Sequence, residues 1–130
     1  MQDELDVLQL HTESQGDIIY VRAIGDIDLS TTPQLRTVVE HAVSALPQDN
    51  ALRYIVLDIS EVSFIDSAGL ALLVEIRKRF HNTCRLAIHI ATSTQPERVL
   101  RLGRFDTFLL VGYSSDELIA HGVPLANVAG

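Results

Sequence analysis

The stretch Val56-Leu57-Asp58-Ile59-Ser60-Glu61-Val62-Ser63-Phe64-Ile65-Asp66-Ser67-Ala68-Gly69-Leu70 decides how this chain folds. It starts in the apolar run Tyr54–Leu57, whose branched residues suit a central strand covered on both faces. The acidic segment after it reads as a short loop, with Asp58 ending the strand as a loop-organising residue. Ser67 stands where the next helix begins. A serine there can act as the N-cap, accepting a hydrogen bond from a free N–H of the first turn. Its hydroxyl can also carry a phosphate.

From Ser67 to Phe80 the spacing predicts a helix. Gly69, Leu72, Leu73, Ile76 and Phe80 fall on one stripe at i, i+3, i+4 and i+7, the face that turns to a core. Leu70 and Val74 lie four apart and point more than a right angle away from it. They belong either to the margin of the core or to the apolar centre of a docking surface.

Upstream, Leu5–Thr12 and Asp17–Ala23 alternate apolar and polar residues around Gln15-Gly16-Asp17, which predicts an antiparallel strand pair at a sheet edge. Gly25-Asp26-Ile27-Asp28 reads as a loop. Ser30-Thr31-Thr32-Pro33 then opens a helix, with proline near its first position. Leu35, Val38, Val39, Ala42, Val43 and Leu46 follow at helical spacing, Pro47 ends the run, and Pro47–Asn50 is a turn.

Downstream, Arg85–Ala91 reads as a strand. Thr92-Ser93-Thr94-Gln95-Pro96 opens a helix that Gly103 ends in a left-handed cap. Phe105–Val111 is a last strand. Ser114-Ser115-Asp116-Glu117 has the form of a capping box before a short helix ending at Gly122. The expected order is β-β-α-β-α-β-α-β-α: one α/β domain over residues 5–121, with a mixed, mostly parallel sheet of about five strands and right-handed crossovers. Residues 122–130 read as a loose tail.

The totals narrow the function classes. A net charge of −7 argues against nucleic acid or an anionic membrane as the main partner, because both select a basic face. No apolar run approaches the roughly 20 residues of a membrane span. The acidic start Met1-Gln2-Asp3-Glu4-Leu5-Asp6 lacks the form of a signal peptide. Cys84 is the single cysteine, so no disulfide framework is expected. His11, His41, His81, His89 and His121 lack metal-ligand spacing and read as surface or strand residues. Neither a dinucleotide nor a P-loop glycine pattern occurs, so no cofactor is expected. Ser67 lacks the flanking glycine pair of a nucleophile elbow and has no identifiable base, which argues against a serine hydrolase. A response-regulator receiver would need a lysine near its last strand, and no lysine follows Lys78.

Three segments together carry a family resemblance: Gly25-Asp26-Ile27-Asp28, the stretch from Asp58 to Leu70, and the helix end Val99-Leu100-Arg101-Leu102-Gly103. The chain resembles a STAS domain, specifically a stand-alone bacterial anti-sigma factor antagonist. Phe64-Ile65-Asp66-Ser67-Ala68-Gly69-Leu70 resembles the family's Asp-Ser-[Ser/Thr]-Gly-Leu signature, in which the serine after the aspartate is the phosphoacceptor. Gly25–Asp28 resembles the Gly-Glu-[Ile/Leu]-Asp loop beside that serine. Ala68 replaces the signature's second hydroxyl residue, and Asp26 replaces the more usual glutamate.

The resemblance implies a cytoplasmic, non-enzymatic phosphoprotein that is a monomer or weak dimer and switches partners. Its unphosphorylated form would bind an anti-sigma factor that is also a serine kinase, freeing a sigma factor for transcription. Phosphorylation of Ser67 would release it, and a serine phosphatase would restore it. Asp26, Asp28, Asp66 and Gly69 would surround the phosphosite, with Leu70 and Val74 at the partner surface. The alternative is a STAS adaptor or scaffold module that works without phosphorylation.

Overall fold

The structure, a computed structural model, describes residues 8–49 and 51–125. Its elements are β1 (Gln9–Gln15), β2 (Ile18–Ile27), α1 (Thr32–Ser44), β3 (Arg53–Ile65), α2 (Ser67–Phe80), β4 (Cys84–His89), α3 (Gln95–Leu102), β5 (Leu110–Gly112) and α4 (Ser115–Ala120). This is the expected order of elements. All five strands form one sheet in the spatial order β1-β2-β3-β4-β5. β1 pairs antiparallel with β2 at the sheet edge, and the remaining pairs are parallel. The expected strand residues Leu5–Val7 and the turn residue Asn50 lie outside the described residues.

Strand periodicity splits the core into two layers. Ile19, Val21, Ile55, Leu57 and Ile88 face one side and pack with Leu35 and Val39 of α1, Leu72, Leu73 and Ile76 of α2, and Leu100 of α3. Their chain neighbours Ile18, Val56 and Ala87 face the other side and meet Leu118 of α4 with Val123 and Leu125. Each such fully buried Leu or Ile contributes about 1.5–3 kcal/mol. On the outer surface Arg36 of α1 pairs with Glu75 of α2, and Glu40 pairs with Arg79. Both pairs are solvated and contribute little. Burial therefore holds the two helices, and the ion pairs, one turn apart on each, accompany a parallel alignment.

Several boundaries differ from the sequence reading. The segment from Asp58 to Ile65 is strand, not loop, and Gly25–Ile27 is strand as well. The register explains both. Arg22 pairs with Asp58 but Ile24 with Glu61, and Gly25 pairs with Val62 but Asp26 with Phe64. At each shift β3 carries one residue more than β2, which makes two β-bulges. Beyond Asp58 the buried residues are therefore Ile59, Val62 and Ile65, three apart rather than two. Gly25, with φ +124°, occupies the second irregularity in a conformation that favours glycine.

The C-terminal third differs more. Gly103 has φ −82°, and the left-handed residue is Arg104 at φ +59°. A Cβ on Gly103 would lie 2.6 Å from the Phe105 ring, so close packing excludes a side chain there. Phe105–Thr107 forms a 3-10 turn, and of the expected last strand Phe105–Val111 only Leu110 and Val111 pair with β4, extended by Gly112. Val123 and Leu125 are buried, so the part of the tail within the described residues is packed on the sheet rather than loose. Residues 126–130 lie outside the described residues.

Candidate functional site

The carboxyl ends of β2 and β3 build one corner of the molecule. The N–H of Asp66 donates to the carbonyl of Ile27 (3.2 Å), which ties the two strand ends together. The N-cap of α2 is Asp66, not Ser67: its Oδ1 accepts from the Gly69 N–H at 2.9 Å. Its other oxygen, Oδ2, accepts from the Leu29 N–H at 3.1 Å and so holds the loop between β2 and α1. Ser67 is the first helical residue. It is exposed, and its hydroxyl has no hydrogen-bond partner among the described residues. The sequence reading missed this because a serine and an aspartate in succession are equally good caps. The aspartate takes the role here because it precedes the turn and can also reach the neighbouring loop.

The sequence-expected residues fall into distinct roles around this corner. Asp28 Oδ1 accepts from the Ser30 hydroxyl (2.7 Å), the Ser30 N–H (3.0 Å) and the Thr31 N–H (3.1 Å), folding the loop before α1. The Ser30 hydroxyl, with the backbone and side chain of Thr31, holds the Asp28 carboxyl below its ordinary range. Asp26 is exposed at the end of β2, opposite Phe64. Gly69 is buried where α2 meets both strands: a Cβ would lie 2.5 Å from Ile65 Cγ1 and 2.8 Å from the Ile27 carbonyl oxygen. Asp66 and Gly69 thus shape the corner, and Asp26 and Asp28 bring it negative charge.

Leu70 and Val74 are half-buried, and Leu70 packs against the main core. Two other apolar side chains stand out further at this end of the sheet. Leu29, whose N–H is held by Asp66, is 75% exposed, and Phe64, two residues before Asp66, is 43% exposed. Both lie in or beside segments that read as loop, where local periodicity assigns no side; the bulged register turns Phe64 outward, and Leu29 follows the end of β2.

Gln95 is a further residue that sequence reasoning passed over. Its amide forms a two-bond clamp on Ile65: Oε1 accepts from the Ile65 N–H (2.8 Å) and Nε2 donates to the Ile65 carbonyl (2.9 Å). β4 pairs with β3 only as far as Asp58, so the end of β3 has no strand on that side. Gln95 supplies the donor and acceptor a strand would have supplied, and so positions the backbone two residues before Ser67.

A second polar group lies away from this corner, on the face opposite α1 and α2. Asp58 is buried within β3. It accepts from the Tyr20 hydroxyl (2.5 Å) and from the hydroxyl and N–H of Ser60 (2.6 and 3.0 Å). His89 Nδ1 stands 3.5 Å from Asp58 Oδ1, at the long limit of contact. Burial pushes the Asp58 carboxyl up, but His89, Ser60 and Tyr20 outweigh it and leave it well below its ordinary range. Burial and the Asp58 carboxylate raise the Tyr20 phenol, and Asp58 raises His89. This group organises strands rather than a loop, as its place in the middle of the sheet dictates. Among the described residues, no three His, Cys, Asp or Glu side chains gather as metal ligands. No described helix is long and apolar enough to cross a membrane.

Comparison with known proteins places this architecture. Among solved structures it is similar to an anti-sigma factor antagonist from Mycobacterium paratuberculosis, with a TM-score of 0.69 and 22% identity over 88% of this chain and 94% of that one. It is also similar to the anti-sigma factor antagonist SpoIIAA in its unphosphorylated form, with a TM-score of 0.58 and 18% identity over 95% and 99% of the two chains. The Bacillus cell fate determinant SpoIIAA in its phosphorylated form matches with a TM-score of 0.53 and 18% identity over 88% and 98%. At these identities the likeness is one of fold. The family model of the STAS domain matches residues 9–118. Because that match runs from the first residue of β1 into α4, it takes in every element that builds the Ser67 corner, and the chain belongs to the STAS domain family.

Proposed function

We propose that this protein is an anti-sigma factor antagonist whose affinity for an anti-sigma factor with serine kinase activity is switched by phosphorylation of Ser67. The observation that carries the reading is the state of Ser67: exposed, its hydroxyl without a hydrogen-bond partner among the described residues, and set in the first turn of α2 beside a separate N-cap. A hydroxyl that holds no part of the fold can be modified without unfolding it. The SpoIIAA structures, described in unphosphorylated and phosphorylated forms, support the same reading through a shared fold.

The geometry favours a local electrostatic switch. Leu70 N–H is the first amide of α2 to reach back to Asp66, and Gly69 N–H is taken by the Asp66 side chain. The N–H groups of Ser67 and Ala68 precede these, and a phosphate at a helix N-terminus draws on such free amides. The phosphate adds about −1.5 to −2 charge. It would arrive beside Asp66, Asp26 and Asp28, in a patch whose apolar contribution comes from Leu29 and Phe64. For a partner docked on that patch, like-charge repulsion and desolvation would cost about 3 kcal/mol, roughly a hundredfold in affinity. The free form would engage the kinase in the cytoplasm, and a serine phosphatase would reset the switch.

The test is to incubate the protein with the serine-kinase anti-sigma factor encoded nearest to it, add ATP and map the phosphate by mass spectrometry. Phosphate on Ser67, absent in Ser67→Ala, is the expected result. Modification that persists unchanged in Ser67→Ala would overturn the reading. A stable complex indifferent to Ser67→Asp would point instead to a STAS adaptor that works without phosphorylation.

A further inference from the structure

We propose that the cleft between the last turn of α2 and the outer edge of β4 binds a small organic anion, an acidic head group on an apolar body. The site lies at the opposite end of α2 from Ser67 and is independent of the switch proposed there.

Three observations meet in this cleft. The first is charge. Five of the chain's ten Lys and Arg residues are held in ion pairs among the described residues: Arg22, Arg36, Arg53, Arg79 and Arg101. Of the other five, Arg77, Lys78 and Arg85 line this one cleft. In a chain of net charge −7 that is a marked local concentration. Complementing the carboxyl end of a helix accounts for Arg77 and Lys78 alone. Arg85 belongs to β4, so the strand adds a third cation that the helix does not require.

The second observation is the apolar lining. Leu86, Leu110 and Phe108 line the same cleft, and Phe108 is 41% exposed. The Arg77 guanidinium stands 5.7 Å over the Phe108 ring. This contact orients a long side chain of the cleft lining.

The third is shape. β5 pairs only with Ala87, Ile88 and His89, so the first half of β4, Cys84–Leu86, has no strand on its outer side. The space left by the short last strand measures about 500 Å³, within the roughly 300–1,000 Å³ typical of small-molecule sites. A cleft at the sheet edge lined by both apolar side chains and three cationic residues suits a ligand that is both apolar and acidic. A free inorganic ion would leave the apolar lining wet, and a neutral hydrocarbon would leave the cations unused.

The test uses the full unmodified chain, labelled with nitrogen-15, and follows its amide spectrum during titration. The probes are 1-naphthyl phosphate, inorganic phosphate, 1-naphthol and an Asp/Glu-rich peptide. Saturable shifts with 1-naphthyl phosphate at Arg77, Lys78, Arg85, Leu86, Phe108 and Leu110 are expected. Binding of phosphate or naphthol alone is expected to be at least about tenfold weaker. Arg85→Glu and Lys78→Glu should each weaken binding by about tenfold or more, whereas Arg98→Glu, the same charge change on α3, should leave it unaltered. Their amide spectra report whether each variant stays folded. Three results would overturn the assignment: no saturable shift at millimolar probe, equal binding of inorganic phosphate, or equal losses from Arg98→Glu. Shifts from the acidic peptide without any from 1-naphthyl phosphate would also overturn it, giving the cleft to a protein partner.

Discussion

At the scale of single residues, Asp66 and Ser67 divide the labour at the start of α2. One residue caps α2 and pins the neighbouring loop, and the next is left free. Two mutations separate the roles. Asp66→Ala should lower stability by about 1 kcal/mol through loss of the cap, seen as a reduced urea midpoint with an unchanged slope. Ser67→Ala should stay within about 0.5 kcal/mol of the parent. A loss as large as that of Asp66→Ala would return the capping role to the serine. Gly69→Ala is the third case. The added methyl would meet the Ile27 carbonyl and the Ile65 side chain, and overpacking of this kind costs about 1–3 kcal/mol. Thermal denaturation would register it. Glycine and aspartate can both be read off the signature, but their separate reasons depend on where Ile27 lies, nearly forty positions earlier in the chain.

At the scale of elements, β3 matters most. Two bulges set twelve of its thirteen residues, Tyr54–Ile65, beside the ten of β2. The bulges change the spacing of buried residues from two to three, so Ile59, Val62 and Ile65 carry no strand signature in a sequence. They also turn Phe64 outward and deliver Asp66 to the end of Ile27. The last pairing of β3 is supplied by Gln95 rather than a strand. Gln95→Ala should speed amide exchange at Ile65 by about tenfold, since an orphaned backbone donor costs about 1–3 kcal/mol. It should also slow phosphorylation of Ser67 while global stability changes less. Unaltered exchange at Ile65 would remove Gln95 from the site.

At the scale of the whole molecule, the sheet separates two polar centres: the Ser67 corner at its carboxyl edge, and the Tyr20–Asp58–His89 group on the face opposite α1 and α2. The second centre gives stability a defined pH window. Asp58 titrates below its ordinary 3.8 when folded, so its contribution is complete above that value and is lost as pH falls through the depressed one. His89 titrates above its ordinary 6.5, so its contribution is complete below 6.5 and is lost as pH rises through the raised value. Stability from this pair is greatest between the two. His89→Asn should abolish the decline on the alkaline side and shrink, without removing, the acid limb from Asp58, which Ser60 and Tyr20 still hold down, measured as urea midpoints across pH. An alkaline decline of undiminished size in that variant would assign it to another group.

The sequence by itself determined the order of elements, the parallel architecture, the core face of α2 and the stretch that holds the proposed switch serine. These follow from local periodicity, turn chemistry and one signature, all of which are written within about fifteen consecutive residues. The tertiary structure alone decided which of Asp66 and Ser67 caps the helix, that Asp58 is a buried strand residue, and that Leu29 and Phe64 rather than Leu70 and Val74 are the most exposed apolar groups at the corner. It also decided that Val123 and Leu125 close the second layer of the core. Each of these depends on pairing register or on contact between distant segments. A bulge shifts every later side chain to a new face, and no local pattern records which strand it will oppose.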